Sequence, residues 1–336
     1  MRKRSLITLL IGGLLLLAAA PGQANHERVV RFATLPPGPG NPEGIAADAN
    51  GNIYVATFSF AAPNVIHIFD PDGDLLVTIP LPVGPLFVVP LGLAFDAAGN
   101  LYVADFLNGD ILKYTPPFTS TSAPAATFNV CDGVVVPPAD PDFCGLNAMT
   151  FDASGNLYVS DSFGGRIFKV TPGGVVSTFL ADPLLATAGF PPFGANGLAF
   201  NPSGKDLYIA NTGDDTILKL NLKTMTLSVF ASGIDGADGI AFDSQGRLWV
   251  AANQADQVVA LNPTGQVVDS RGSFDGIGPD GAVHGLLFPA SIALSQGSIY
   301  VTNAALALTP AVGDEPEEGV TTFTVARISL RHGNGP

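Results

Sequence analysis

One pattern of apolar and polar residues occurs six times along the chain, at intervals of 42 to 56 residues. Each copy has a short apolar run, an Asp-x-x-Gly turn or a close variant, and a second apolar run with one aromatic residue. Two such runs joined by a glycine turn predict a pair of β-strands, in which Asp bonds the turn backbone and Gly takes a positive φ. The interval is that of four-stranded propeller blades. We therefore predict an all-β fold, a single six-bladed β-propeller.

The two ends of the chain indicate how the ring closes. Residues 29–34 are similar to strands that end a blade, such as residues 227–231, yet no first copy of the repeat precedes them. The last copy is followed by only one further strand pattern, Thr321–Leu330. We therefore expect the N-terminal strand to complete the sixth blade, which would remove a bare sheet edge.

The N-terminal segment has the pattern of an export signal. Three basic residues at positions 2–4 precede an apolar run over residues 6–20, and small residues then fit a cleavage site. This run is too short to favour a membrane span. We predict a signal peptide over 1–24, a propeller domain over 25–336, no membrane span after signal removal, and a periplasmic or extracellular protein.

The charge balance excludes one class of partner. The chain has 15 Lys and Arg against 29 Asp and Glu, a net charge of −14, and removing the basic residues at positions 2–4 would bring it to −17. A strongly acidic domain argues against nucleic acid and anionic membranes as partners. The partner that we expect is a small-molecule substrate.

Cys131 and Cys144 are the only cysteines. An even pair this close in an exported chain favours a disulfide. The alternative is a zinc site, although no histidine lies near the pair in the sequence.

The first position of each repeat carries the candidate chemistry. Reading along the chain, this position holds Glu43, Leu91, Asn147, Asn196, Asp238 and Ala290. A repeat fold brings equivalent positions around one axis, so four side chains with carbonyl or carboxylate oxygens should converge. Oxygen donors of this kind favour Ca2+, although another divalent cation is possible, and water or substrate would complete its coordination. The alternative is a wet central channel lined by polar residues without a metal.

Long loops precede several of these first positions and should lie on the same face of the ring. They cover residues 80–90, 116–145, 181–195 and 272–289. Two of them are rich in apolar residues, and we expect Phe87 and Phe193 to contact an aliphatic or aromatic part of the substrate. The alternative is that these loops pack on each other and close the top.

Other polar residues could contribute on that face. Asp105, Asp161 and Asn211 end second strands, as do Thr57 and Asn303, and could either contact substrate or cap the following turn. His284 lies in the loop before the sixth blade, where it could transfer protons in catalysis or simply be exposed.

The four donor motifs and the Gly-Arg-Leu-Trp-Val-Ala run at residues 246–251 resemble the senescence-marker protein/gluconolactonase family. That family belongs to a superfamily of six-bladed, calcium-dependent propellers that also includes paraoxonase-like lactonases and diisopropyl fluorophosphatase. The resemblance implies that Glu43, Asn147, Asn196 and Asp238 bind calcium and that Asp238 is the base or nucleophile. Gly145 stands where the sugar-lactone members have an Arg, so a different lactone is expected.

Two functions are consistent with these features. The first is an exported calcium-dependent hydrolase of a lactone or related ester, in which the metal polarises the carbonyl at the propeller mouth. The second is a non-catalytic NHL-type propeller that binds a ligand or protein partner through its loop face. The propeller fold alone does not decide between them. The four oxygen donors in one register favour the first function, whereas the missing Arg at Gly145 and the generic repeat phrases favour the second.

Overall fold

A computed structural model describes residues 29–38, 40–61, 63–83, 87–131, 144–309 and 313–330. The predicted signal peptide lies outside these residues. The described residues form six four-stranded sheets and one two-stranded sheet. The strands are β1 (Val30–Thr34), β2 (Asn41–Ala47), β3 (Ile53–Phe58), β4 (Val65–Phe69), β5 (Leu75–Pro80), β6 (Pro90–Phe95), β7 (Leu101–Asp105), β8 (Asp110–Tyr114), β9 (Ala126–Asn129), β10 (Leu146–Phe151), β11 (Leu157–Asp161), β12 (Arg166–Val170), β13 (Val176–Ala181), β14 (Ala195–Phe200), β15 (Asp206–Asn211), β16 (Thr216–Asn221), β17 (Thr226–Ser232), β18 (Ala237–Phe242), β19 (Leu248–Ala252), β20 (Gln257–Leu261), β21 (Val267–Arg271), β22 (Phe274–Ile277), β23 (Val283–Gly285), β24 (Pro289–Ser295), β25 (Ser298–Asn303) and β26 (Thr324–Ser329).

The four-stranded sheets are the blades of a six-bladed β-propeller, as predicted. Five blades follow the chain order, β2–β5, β6–β9, β10–β13, β14–β17 and β18–β21. The first strands of neighbouring blades contact each other around the ring. Short 3-10 helices occupy Pro183–Leu185, Asn253–Ala255 and Pro316–Gly319, and no helix of the described residues has the length and apolar character of a membrane span.

The ring closes through the N-terminal strand. The sixth blade has the order β24, β25, β26, β1, and β1 pairs antiparallel with β26, with Val30 opposite Arg327. The prediction from the chain ends is therefore confirmed. Blade six thus combines β1 with three strands from the other end of the described chain, and without β1 the edge of β26 would be unpaired.

Each repeat folds locally for the reason that the sequence indicates. In blade one, an Asp48 carboxylate oxygen accepts bonds from the backbone N–H groups of Asn50 at 2.8 Å and Asn52 at 2.9 Å. Gly51 completes the turn with φ of 88°, a conformation that a side chain would strain. The same Asp-centred turn recurs at Asp96, Asp152 and Asp243.

Aromatic residues of the second strands join one blade to the next. Tyr158 packs edge-to-face against Phe179 of its own blade, with ring centroids 4.9 Å apart, and against Phe200 of the next blade at 5.1 Å. Tyr208 makes the equivalent contacts with Phe230 and Phe242. Such pairs add stabilisation to their burial.

The glycine after a first-position residue lets the innermost strands approach closely. A Cβ on Gly44 would lie 2.6 Å from the backbone oxygen of Leu91 in the next blade. Gly92, Gly197 and Gly239 press in the same way against the following first strand. The backbones around the axis therefore pack too tightly for a larger residue at these positions.

Cys131 and Cys144 form a disulfide, which confirms the predicted pair. The bond joins the end of blade two to the start of blade three, three residues before Asn147. It therefore restrains the segment that delivers one of the four candidate donors.

Candidate functional site

The four oxygen-bearing residues of the repeat meet in one cavity of about 130 Å³. Glu43, Asn147, Asn196 and Asp238 all line this cavity, and each is at least 92% buried. The cavity opens on the face of the long loops, since Phe193 and Phe288 also line it. The four side chains at the first position of the repeat therefore converge, as the sequence predicts.

Two carboxyl groups share this buried space. Burial raises the pKa of Glu43 well above its ordinary value, and the charge of Asp238 raises it further. Burial also raises the pKa of Asp238 to about 7, although the neighbouring side chains of Asn253 and Asn196 act in the opposite direction. No Lys, Arg or His is among the described residues that line the cavity. The site therefore favours a positive charge that its own side chains do not supply.

Asp238 retains unused bonding capacity. Its Oδ2 accepts a hydrogen bond from Nδ2 of Asn253 at 3.0 Å, whereas Oδ1 is buried and has no hydrogen-bond partner. A buried carboxylate oxygen without a partner is costly. A divalent cation would remove that cost, and two carboxylates with two amide oxygens form a hard donor set that suits calcium. The described residues contain no cluster of three or more His, Cys, Asp and Glu, so the amides are needed to complete the set.

Three further residues hold the donors, and sequence reasoning missed them. Asn147 donates from Nδ2 to Oγ of Ser162 at 3.2 Å, and Asn196 donates from Nδ2 to Oγ1 of Thr212 at 3.0 Å. Asn253 makes the third contact, to Asp238. Ser162, Thr212 and Asn253 are almost completely buried.

These three residues share one position of the repeat, four residues after the aromatic residue of the second strand, where that strand ends. The six residues at this position are Phe58, Phe106, Ser162, Thr212, Asn253 and Ala304. The position is polar in blades three, four and five, where the first position is Asn, Asn and Asp. This match between two columns of the repeat was present in the sequence and could have identified them.

The residues one position earlier have a different environment. Asp161 accepts bonds at Oδ1 from the N–H groups of Gly145 and Gly164, both at 2.9 Å. Asp105 accepts from the N–H of Val89, and Asn211 donates to the carbonyl oxygen of Leu184. Asp105, Asp161 and Asn211 do not line the cavity. Their bonds fasten the incoming loops to strand ends, which favours the structural alternative over substrate contact.

An apolar wall faces the donors. The apolar residues that line the cavity are Phe58, Phe60, Leu91, Phe106, Pro191, Phe193, Phe288, Leu306 and Leu308. Phe106 packs against Phe163 at 5.4 Å and Phe193 at 6.2 Å between ring centroids, and Phe163 packs against Phe193 at 5.5 Å. This aromatic cluster stiffens one side of the cavity.

The two predicted aromatic contacts separate in the structure. Phe193 lines the cavity, whereas Phe87 does not. Phe87 is half-buried, and its carbonyl oxygen accepts a hydrogen bond from Nδ2 of Asn108. His284 is exposed on strand β23 and lines a different cavity with Arg31 and Asp275. The structure therefore does not bring Phe87 or His284 to the donors.

Gly145 is enclosed by the aromatic cluster. A Cβ at this position would lie 2.7 Å from ring atoms of both Phe106 and Phe163. No side chain fits there unless the rings move, so the space next to Asn147 that an Arg would need is occupied.

Comparison with known proteins confirms the predicted family resemblance. Residues 134–271 match the model of the SMP-30/Gluconolactonase/LRE-like region. The chain is 36% identical over 83 residues to the 6-deoxy-6-sulfogluconolactonase of Pseudomonas putida, a match that spans 22% of this chain and 28% of that protein. The matched region of the family model includes Asn147, Asn196 and Asp238.

Solved structures share the fold at low sequence identity. A luciferin-regenerating enzyme has a TM-score of 0.62 at 17% identity, covering 87% of this chain and 92% of its own. A gluconolactonase of Xanthomonas campestris has a TM-score of 0.59 at 15% identity, covering 91% and 92%. A virginiamycin B lyase of Staphylococcus aureus has a TM-score of 0.54 at 13% identity, covering 87% and 95%. These similarities concern the fold, which the named gluconolactonase and lyase share.

Proposed function

We propose that the protein is an exported, calcium-dependent hydrolase that acts on a lactone or a related ester in the cavity of the four donors. The observation that carries this proposal is the burial of two carboxylates and two amides in one cavity, with one Asp238 oxygen lacking a partner. The match to the gluconolactonase family model gives independent support.

The residues present suggest a division of roles. Glu43, Asn147, Asn196 and Asp238 would hold the ion, which when bound would polarise the substrate carbonyl and stabilise charge on its oxygen. Asn253 orients Asp238 through Oδ2. The second oxygen of Asp238 would then accept the proton of a water molecule that adds to the carbonyl carbon, and this proton would pass to the alkoxide oxygen that departs as the acyl C–O bond breaks. The alternative is that this carboxylate oxygen attacks the carbonyl carbon itself with loss of the same alkoxide, after which water hydrolyses the acyl-enzyme.

The apolar wall supports a particular class of substrate. Phe58, Phe106 and Phe193 line the cavity beside the donors and would bury an aliphatic or aromatic tail. Gly145 is packed against two aromatic rings, so this side offers no cationic group to a sugar hydroxyl or sulfonate. We therefore propose a lactone or ester with an apolar tail rather than a hydrophilic sugar lactone.

Export is part of the same proposal. It is supported by the signal-like N-terminal sequence and by the disulfide between Cys131 and Cys144, because disulfides persist in oxidising compartments.

The test is turnover of chromogenic lactones and aryl esters of increasing acyl length, with calcium and with a chelator. We expect activity that requires calcium, rises with chain length, and falls at least about a thousandfold in Asp238→Asn. Asp105→Asn is the matched control, since it makes the same acid-to-amide change in a buried residue outside the cavity. Full activity in chelator or in Asp238→Asn would refute the proposal, and faster hydrolysis of gluconolactone would refute the substrate class.

A further inference from the structure

We infer that Ser162 and Thr212 are positioning residues that hold the amide oxygens of Asn147 and Asn196 free for the cavity, through a hydrogen-bond relay that runs from blade to blade. The inference rests on the proposed function for its purpose, because an amide can bind a cation only through its oxygen.

The direction of each amide follows from the single proton of a hydroxyl group. Ser162 donates from Oγ to the carbonyl oxygen of Ala195 at 2.8 Å, and Thr212 donates from Oγ1 to that of Ala237 at 2.7 Å. With that proton committed, each hydroxyl can only accept a bond from its Asn. A flipped amide would place its oxygen against hydroxyl lone pairs. The amide nitrogen of each Asn therefore faces the hydroxyl group, and the amide oxygen of each Asn makes no bond to that hydroxyl.

The relay also links consecutive donors. Ala195 directly precedes Asn196, and Ala237 directly precedes Asp238. Each hydroxyl thus connects the amide of one blade to the backbone that carries the donor of the next blade. Coupled networks of this kind give more than the sum of their separate bonds.

Asn253 ends the relay with the opposite chemistry. A carboxylate needs a hydrogen-bond donor where an amide needs an acceptor, and Asn253 supplies that donor to Asp238. At the same position, blades one, two and six have Phe58, Phe106 and Ala304. The side chains of these residues cannot donate such a bond, and the Glu43 carboxylate accordingly accepts no hydrogen bond from the described residues.

The competing explanation is that the hydroxyls only stabilise the fold. Ser160 provides the matched control. It lies in strand β11, two residues before Ser162, and is also buried. It bonds only backbone, accepting from the N–H of Ala148 at 2.9 Å and donating to its carbonyl oxygen at 3.3 Å. Ser160→Ala therefore removes a buried hydroxyl close to Asn147 without touching an amide side chain.

The test is calcium titration of the metal-free full-length protein by calorimetry, with thermal melts in chelator for every variant. We expect Ser162→Ala and Thr212→Val to raise the Kd for calcium about tenfold or more, as loss of such outer contacts does elsewhere. Thr212→Ser, which keeps the hydroxyl, and Ser160→Ala should stay within about threefold of the parent. If the parent binds calcium and Ser162→Ala and Thr212→Val bind it equally well, the inference is overturned and the proposed function stands.

A second readout does not need calcium. Exchange of the Asn196 side-chain amide protons, followed by NMR on the metal-free protein, reports the bond to Thr212. We expect exchange about tenfold faster or more in Thr212→Val than in the parent and in Thr212→Ser. Equal rates in all three would overturn the relay. A parent protein that binds no calcium would overturn the proposed function, while slow exchange lost only in Thr212→Val would still support the relay.

Discussion

Two sets of buried polar residues lie at this end of the propeller, and they differ in how much of their bonding capacity is used. Asp161 and Asp238 are both buried carboxylates. Asp161 accepts bonds from three backbone N–H groups and from Nε of Arg166 at 2.9 Å. Asp238 accepts one bond from Asn253, and its Oδ1 has none.

The comparison shows why residue type alone does not identify a site. Buried polar groups in proteins are normally hydrogen-bonded, so a saturated carboxylate has a structural explanation. The buried Oδ1 of Asp238, which has no partner, lacks such a structural explanation. It belongs to a residue that lines the cavity where the three other oxygen-bearing residues converge. Unused bonding capacity therefore separates the candidate site from the loop anchors beside it.

Removal of calcium should give the largest loss of stability if the partnerless Asp238 oxygen marks a metal site. Binding to the folded state alone stabilises it by about 4 kcal/mol when free calcium exceeds the Kd a thousandfold. Thermal melts with calcium and with chelator measure this. The shift should persist in Asp105→Asn and largely disappear in Asn196→Ala. An unchanged melt with no metal in the purified protein would argue against any metal at the donors.

Loss of a loop anchor should lower stability without affecting calcium. Asp161→Ala leaves buried N–H groups and Arg166 without their acceptor, which should cost about 3 kcal/mol. Denaturant unfolding in chelator gives this value, and calorimetry on the folded variant should return the parent Kd. A Kd raised tenfold would instead join Asp161 to the site.

The aromatic wall offers a smaller contrast. Phe193→Ala should reduce kcat/KM for a long-chain lactone about tenfold, or about 1.4 kcal/mol, and should have less effect on a short one. Phe87→Ala is the matched control, because Phe87 does not line the cavity. Equal losses in both variants would mean that the loops matter only for closure of this face.

A further contrast concerns a titratable group outside the cavity. Burial lowers the pKa of His67 to about 4, whereas an unfolded histidine ionises near 6.5. Unfolding therefore takes up a proton between these values, and stability should fall as pH drops from about 6.5 to 4, by at most about 1.4 kcal/mol per pH unit. His67→Gln should flatten this slope equally with calcium and with chelator. A slope that disappears only when calcium is added would assign it to the donors instead.

The sequence predicted the fold and the convergence of four oxygen-bearing side chains because both follow from the register of one repeat. Glu43, Asn147, Asn196 and Asp238 occupy the same position in different blades, and a closed ring brings that position to one axis. The closing strand could be predicted for the same reason, since Val30–Thr34 has the pattern of a blade's last strand and no blade of its own.

The surroundings of the donors were harder to predict. Asp161 and Ser162 are consecutive residues, and successive side chains along an extended chain point to opposite sides. A prediction that is wrong by one position therefore selects Asp161, which anchors a loop, instead of Ser162, which bonds Asn147. Loop side chains have no repeat to fix them. Sequence alone therefore gave no means to separate Phe193, which lines the cavity, from Phe87, or to place His284 on a separate hairpin.

We propose that Glu43, Asn147, Asn196 and Asp238 together bind one calcium ion. Calorimetric titration of calcium into the metal-free parent, Glu43→Gln and Asp105→Asn tests this binding. We predict one ion per chain in the parent and in Asp105→Asn, and at least about a hundredfold weaker binding in Glu43→Gln, which loses one of the two charges in the cavity. No binding by the parent, or the same Kd in Glu43→Gln, would contradict the account.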